Sequence, residues 1–101
     1  MNVVNAIGKV RFNSARPQRV QLSRCPHFTC DLLCLEPKQE LCAAGRCAYY
    51  VIAGSGDVWS GKLSTHVTMG HFAACEPGEC HTLINSSEQR LICLAVTYSS
   101  D

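Results

Sequence analysis

Charged side chains are scarce in this chain. Asp, Glu, Lys and Arg make up 17% of its 101 residues, and nine basic against eight acidic groups leave a formal net charge of +1. A nucleic-acid footprint needs clustered Lys and Arg to neutralise phosphates, and no such cluster is written here. No polybasic stretch is available for an anionic membrane either. Long apolar runs are also missing, since none approaches the ~20 residues that span a bilayer. The opening Met1-Asn2-Val3-Val4-Asn5-Ala6-Ile7-Gly8 lacks the basic and then apolar regions of a secretion signal. The expectation is a cytoplasmic protein with neither nucleic acid nor membrane as partner. Helical periodicity is nearly absent, because no window of a dozen residues sets apolar positions at i, i+3, i+4 and i+7. There is no C-x-x-C pair, which excludes a thioredoxin-like motif and a zinc-ribbon knuckle.

What is present in excess is cysteine. Eight occur, at Cys25, Cys30, Cys34, Cys42, Cys47, Cys75, Cys80 and Cys93. The spacing C-x4-C recurs in Cys25/Cys30, Cys42/Cys47 and Cys75/Cys80. On a strand that separation places two side chains on opposite faces, so such pairs meet only across a turn. Cytoplasmic thiols stay reduced, and Cys30, Cys34 and Cys93, lying in apolar runs, read as small buried hydrophobes.

Apolar residues make 47% of the chain, enough for a core. They fall in short runs separated by turn residues, the pattern of strands. The runs are Lys9–Phe12, Arg19–Leu22, Phe28–Leu35, Ala48–Ala53, Asp57–Ser60, Leu63–Thr68, His71–Cys75, His81–Asn85 and Arg90–Thr97. Glu36-Pro37-Lys38, Gly54-Ser55-Gly56, Gly61-Lys62, Met69-Gly70, Glu76-Pro77-Gly78 and Ser86-Ser87-Glu88-Gln89 punctuate them. Many short strands at even spacing point to an all-β sandwich or barrel in one domain spanning residues 1–101.

Two stretches resemble the motifs of the cupin family. Gly70-His71-Phe72-Ala73-Ala74-Cys75-Glu76-Pro77-Gly78-Glu79-Cys80-His81-Thr82-Leu83-Ile84-Asn85 is similar to the second cupin motif, G-x5-P-x-G-x2-H-x3-N. Gly70, Gly78, His81 and Asn85 stand at its spacing, and the proline is displaced by one residue to Pro77. Ala48–Val58, with Gly54 and Gly56, resembles the end of the first motif, and Leu33–Leu41 resembles the strand and turn leading into it. The resemblance, strongest over residues 28–97, implies a double-stranded β-helix (jelly-roll) barrel that often pairs as a homodimer. An inward His81 at the start of a strand would place Leu83 and Asn85 on the same face.

The family's metal site uses two histidines and a glutamate of the first motif with the histidine of the second. Counting back from Gly54 sets Cys47 in the glutamate position, with Cys42 and Glu40 where the histidines belong. Alternatively, the loop is shortened and the histidine pair deleted, which keeps the Glu36-Pro37 turn in its place. Either way, of the four usual ligands only His81 stands. That departs from the donor set of the family's iron- and manganese-dependent oxygenases and isomerases. Thiolates suit zinc or Cu(I) instead, and Glu40, Cys42, Cys47 and His81 together would form a four-coordinate zinc site. The bland reading is an apolar-lined barrel in which His81 bonds a carbonyl.

Three functions follow. The first is a stand-alone barrel that binds a small molecule at a pocket of His81, Tyr49, Leu83 and Asn85, with at most one divalent metal ion (zinc, nickel or iron) through His81. The second is a metal-dependent enzyme with an altered Cys/Glu/His ligand set. The third is a thiol or soft-metal binding protein. Other groups carry less. Cys80 and His81 are strand neighbours that face opposite ways, and Cys75 and Cys80 flank a tight turn. Cys25, His27 and Cys30 match no common zinc spacing. His66 and His71 read as solvated surface side chains. Trp59, Tyr49 and Tyr50 suit a pocket mouth or, as strand aromatics more often do, a core or subunit contact.

Overall fold

The computed structural model describes residues 1–44, 46–76 and 80–98. After a single 3-10 turn at Ile7–Lys9, the described residues form nine strands. These are β1 (Gln18–Arg24), β2 (Phe28–Leu35), β3 (Glu40–Ala44), β4 (Cys47–Ala53), β5 (Ser55–Ser60), β6 (Leu63–Thr68), β7 (Phe72–Cys75), β8 (Cys80–Ile84) and β9 (Leu91–Tyr98). They build a five-stranded sheet in the order β1-β2-β9-β4-β7 and a four-stranded sheet in the order β3-β8-β5-β6. Every pairing is antiparallel.

Alternation along the strands builds the core between the sheets. Leu33, Leu35, Tyr49, Val51, Leu91 and Cys93 point inward from the larger sheet and meet Val58, Val67 and Leu83 of the smaller one. Burying each such side chain contributes on the order of 1.5–3 kcal/mol. β2 is unusual in having Asp31 through Leu35 buried on both faces. Residues ahead of β1 cover part of its outer side: Arg11 lies against Cys34, and the Asn13 carbonyl accepts a hydrogen bond from Gln39 Nε2 at 2.7 Å. Phe12 lies 4.4 Å beneath the Arg90 guanidinium. The run Lys9–Phe12, expected to be a strand, therefore joins no ladder among the described residues and is held by side chains instead.

β3 is a strand that its own residues do not announce. Its sequence, Glu-Leu-Cys-Ala-Ala, has little β preference, and pairing along β8 makes it extended. The glycine punctuation has a steric basis at Gly54 and Gly56. Gly54 has φ +85°, and a Cβ there would collide with the Arg90 carbonyl oxygen. A Cβ on Gly56 would lie 2.5 Å from the Ile84 carbonyl oxygen. Both glycines let backbones approach where a side chain cannot fit. The Pro77-Gly78 turn of the second motif lies outside the described residues.

Candidate metal centre

Three neighbouring strands deliver the side chains that matter. β4 buries Cys47, Tyr49 and Val51 on alternate positions, and β8 does the same with His81 and Leu83. β7 is one of the two edge strands of the larger sheet, and its Cys75 stands directly opposite Cys47 in the β4–β7 ladder. Opposed residues in a ladder share a face, so both thiols enter the barrel from one side and His81 enters from the other sheet.

Cys47 Sγ lies 3.4 Å from His81 Nε2, and Tyr49 Oη lies 3.1 Å from His81 Nδ1. The Tyr49 and His81 rings meet edge to face at 5.8 Å. Cys75 completes the cluster, with one ligand atom from each of Cys47, Cys75 and His81 lying within 4.8 Å of one another. His81 is only 1% exposed and Cys47 5%. Burial pushes the Tyr49 phenol well above its usual range, with the Cys47 hydrogen bond and the nearby thiols adding to the effect. Tyr49 is therefore a neutral hydroxyl at physiological pH. It donates to Nδ1 in one imidazole tautomer and accepts from Nδ1–H in the other.

The donor set fits a soft, tetrahedral ion. Zinc bonds of about 2.3 Å to sulfur and about 2.0–2.1 Å to nitrogen put a tetrahedral S···N pair about 3.6 Å apart. The 3.4 Å between Cys47 Sγ and His81 Nε2 is close to that spacing. Three donors leave one of four positions for water or a ligand. With Nε2 toward the thiols, Nδ1–H would donate to Tyr49, the outer partner that ligating histidines characteristically have. The cluster can thus hold a metal ion.

Two clefts flank β7, and Cys75 lines both. The larger, about 570 Å³, opens between β7 and the β5–β6 hairpin, with Ser60, Thr65, His66, His71 and Phe72 on its walls. The smaller, about 410 Å³, lies by Arg46, Phe72 and Tyr98. On the larger wall, His66 Nδ1 pairs with Asp57 Oδ1 at 2.9 Å. Hydrogen bonds from Ser86 and His66 hold the Asp57 carboxyl below the usual range.

Of the residues expected from the sequence, Cys47, His81 and Tyr49 are brought together. Glu40 and Cys42 are not. Ala43 stands opposite His81 in the β3–β8 ladder, so Cys42 and Glu40 have the other parity and face solvent. There Cys42 Sγ contacts Thr82 Oγ1 at 3.4 Å. Leu83 and Asn85 do share the inward face of His81, but neither lines the two clefts beside β7. Leu83 is packed within the core.

Asn85 is consumed by backbone. It donates to the carbonyls of Leu35 (3.0 Å) and Gln89 (2.8 Å) and accepts from the Ser87 N–H (3.1 Å) and hydroxyl (2.8 Å). Its role is to fasten the turn into β9. Cys75, which the sequence presents only as a thiol beside a tight turn, is the third member of the cluster. No local signal turns it inward: in Phe72-Ala73-Ala74-Cys75 alternation would bury the large apolar Phe72, yet Phe72 is exposed and Cys75, of the opposite parity, is half-buried. Cys25, His27 and Cys30 form no comparable cluster among the described residues.

The chain superposes on solved cupin-type barrels over nearly its whole length. It is similar to the protein TT1209 from Thermus thermophilus, with 22% identity, a TM-score of 0.91 and 97% of each chain covered. A double-stranded β-helix protein from Klebsiella pneumoniae gives 18% identity and a TM-score of 0.84, covering 100% of this chain and 99% of that one. An RmlC-like cupin from Desulfovibrio desulfuricans gives 16% identity and 0.80, covering 96% of each. No protein-family model and no curated protein sequence matches the chain. The fold is thus that of a small cupin, an all-β double-stranded β-helix barrel. No helix among the described residues is long and apolar enough to cross a membrane.

Proposed function

We propose that this barrel binds one soft divalent metal ion, zinc before nickel or iron, through Cys47, Cys75 and His81, and offers it to a small molecule in the cleft between β6 and β7. The observation that carries the reading is the convergence of two thiols and an imidazole inside a barrel whose ordinary ligand positions hold no second histidine. Two sulfurs and one nitrogen favour zinc or Cu(I) over the iron and manganese that imidazole and carboxylate sets select. The ion would supply Lewis acidity to whatever occupies its open position. The chain's own residues do the rest: Tyr49 orients the imidazole, the core excludes water from behind, and Ser60, Thr65 and His71 provide polar contacts along the cleft.

Titration of reduced, metal-free protein with zinc against a chromophoric chelator tests this. One equivalent taken up by the parent, by Cys42→Ser and by Glu40→Gln, with at least a hundredfold weaker binding by Cys47→Ser and Cys75→Ser, is the expected result. Equal uptake by all five proteins would overturn it.

A further inference from the structure

We propose that Cys47 and Cys75 form a redox pair that closes to a cross-strand disulfide when a hydroperoxide enters the cleft. The inference goes beyond the metal reading, and the disulfide does not depend on it. In the described ladders, only these two of the eight cysteines stand opposite another cysteine. Cys30 faces Ser23 and Val96, Cys34 faces Gln18 and Ile92, Cys42 faces Thr82, Cys80 faces Ala44, and Cys93 faces Leu33 and Val51. Opposed residues in an antiparallel pair have Cα atoms about 4.5–5.5 Å apart. That lies inside the ~4.4–6.8 Å window of a disulfide. The two sulfurs are already within 4.8 Å. β7 has four residues and, among the described residues, no further strand beyond it, so it can adjust to bring them into bond.

Exposure sets the order of events. Cys75 is half-buried and lines both clefts, whereas Cys47 is 5% exposed and lines only the smaller one. The Cys75 sulfur attacks the distal oxygen of a hydroperoxide, the O–O bond breaks, and the alcohol or water leaves with the thiol proton. The product is a Cys75 sulfenic acid. The Cys47 sulfur then attacks the Cys75 sulfur, and its hydroxyl departs as water with the Cys47 proton. Two thiols and one hydroperoxide become one disulfide, one water and one alcohol, or a second water when the oxidant is hydrogen peroxide. Where the metal reading holds, the same step removes two of three donors, so oxidation and metal occupancy exclude each other.

The experiment uses metal-free reduced protein in which the solvent-facing thiols are removed by Cys42→Ser and Cys80→Ser. After a small molar excess of hydrogen peroxide, alkylation and peptide mapping should find Cys47 and Cys75 linked, with a mass loss of about 2 Da that dithiothreitol reverses. Linkage of either cysteine to another partner, or no linkage, overturns the proposal. Adding Cys47→Ser should leave Cys75 as a sulfenic acid trapped by dimedone, and failure to trap it overturns the order of steps. Zinc uptake is read separately on the reduced and oxidised forms. At least tenfold weaker uptake after oxidation supports the coupling, and equal uptake by both overturns it. Failure of the reduced form to bind zinc would reject the metal reading while the peptide map still decides the disulfide.

Discussion

His81 Nε2 lies 3.4 Å from Cys47 Sγ, although the residues are 34 positions apart and come from opposite sheets. The far nitrogen of the same ring is bonded to Tyr49 Oη. The imidazole is thus held on one side by a phenol and offered on the other to a thiol. An inward histidine with no such support would turn to the nearest carbonyl. Here its orientation is built in before any ligand arrives.

Tyr49→Phe tests that support. The ring and its edge-to-face packing remain and only the hydroxyl is lost. Zinc affinity should fall about tenfold or more, the usual cost of removing a ligand's outer partner. Stability should fall by about 1 kcal/mol for the lost hydrogen bond. Chelator competition and urea unfolding measure the two effects, and unchanged zinc affinity would mean that Tyr49 does not position His81.

Alkaline conditions should unfold the protein through its buried thiols. Burial, with Cys34 adding to it, pushes the Cys93 thiol up from the ordinary 9.0 to about 12. The folded value is the raised one, so the contribution is whole below pH 9 and is lost as the pH climbs from 9 towards 12. The slope is about 1.4 kcal/mol per pH unit for that single group. Tyr49, raised in the same sense, steepens the loss above its ordinary value of 10.0. Denaturant midpoints at pH 8, 10 and 11 should fall in order, less steeply in Cys93→Ala. A flat profile would contradict the burial of both groups.

Gly54→Ala and Gly61→Ala separate strain from collision. Both glycines have positive φ, but a Cβ at Gly61 meets nothing within 4 Å. Gly61→Ala should cost about 1 kcal/mol for the backbone alone. Gly54→Ala also drives a methyl into the Arg90 carbonyl and should cost about 2–4 kcal/mol. Thermal unfolding of the pair decides it, and equal losses would show that the β4–β5 turn opens freely.

Asn85→Ala should destabilise the fold by about 3 kcal/mol, because the carbonyls of Leu35 and Gln89 and the Ser87 N–H and hydroxyl each lose a hydrogen bond. Zinc affinity of the folded fraction should not change, since Asn85 touches none of Cys47, Cys75 or His81. A selective loss of metal with full stability would return Asn85 to the site.

Period-two alternation and its interruptions are local properties, and they make most strands legible from the order of residues alone. Phe28–Leu35 and Leu63–Thr68 coincide with β2 and β6, and the remaining observed strands, β3 aside, differ from their expected runs by a few residues at the ends. The resemblance to the cupin motifs, not the alternation, set His81 and Cys47 among the candidate ligands. β3 escapes because Glu-Leu-Cys-Ala-Ala takes its extended form from β8 rather than from its own residues. The N-terminal run misleads for the converse reason: Lys9–Phe12 alternates like a strand but has no ladder to join.

By itself, then, the sequence determined an all-β sandwich or barrel punctuated at glycines, and the cupin resemblance added Cys47 and His81 among four candidate ligands. Tertiary structure decided that Cys75 joins Cys47 and His81 and that Cys42 and Glu40 do not. A one-residue change of register turns every side chain of a strand to the other face, and register is set by pairing partners that lie far away along the chain. The ladder that opposes Ala43 to His81 sends Cys42 and Glu40 outward, and the ladder that opposes Cys47 to Cys75 brings the second thiol in.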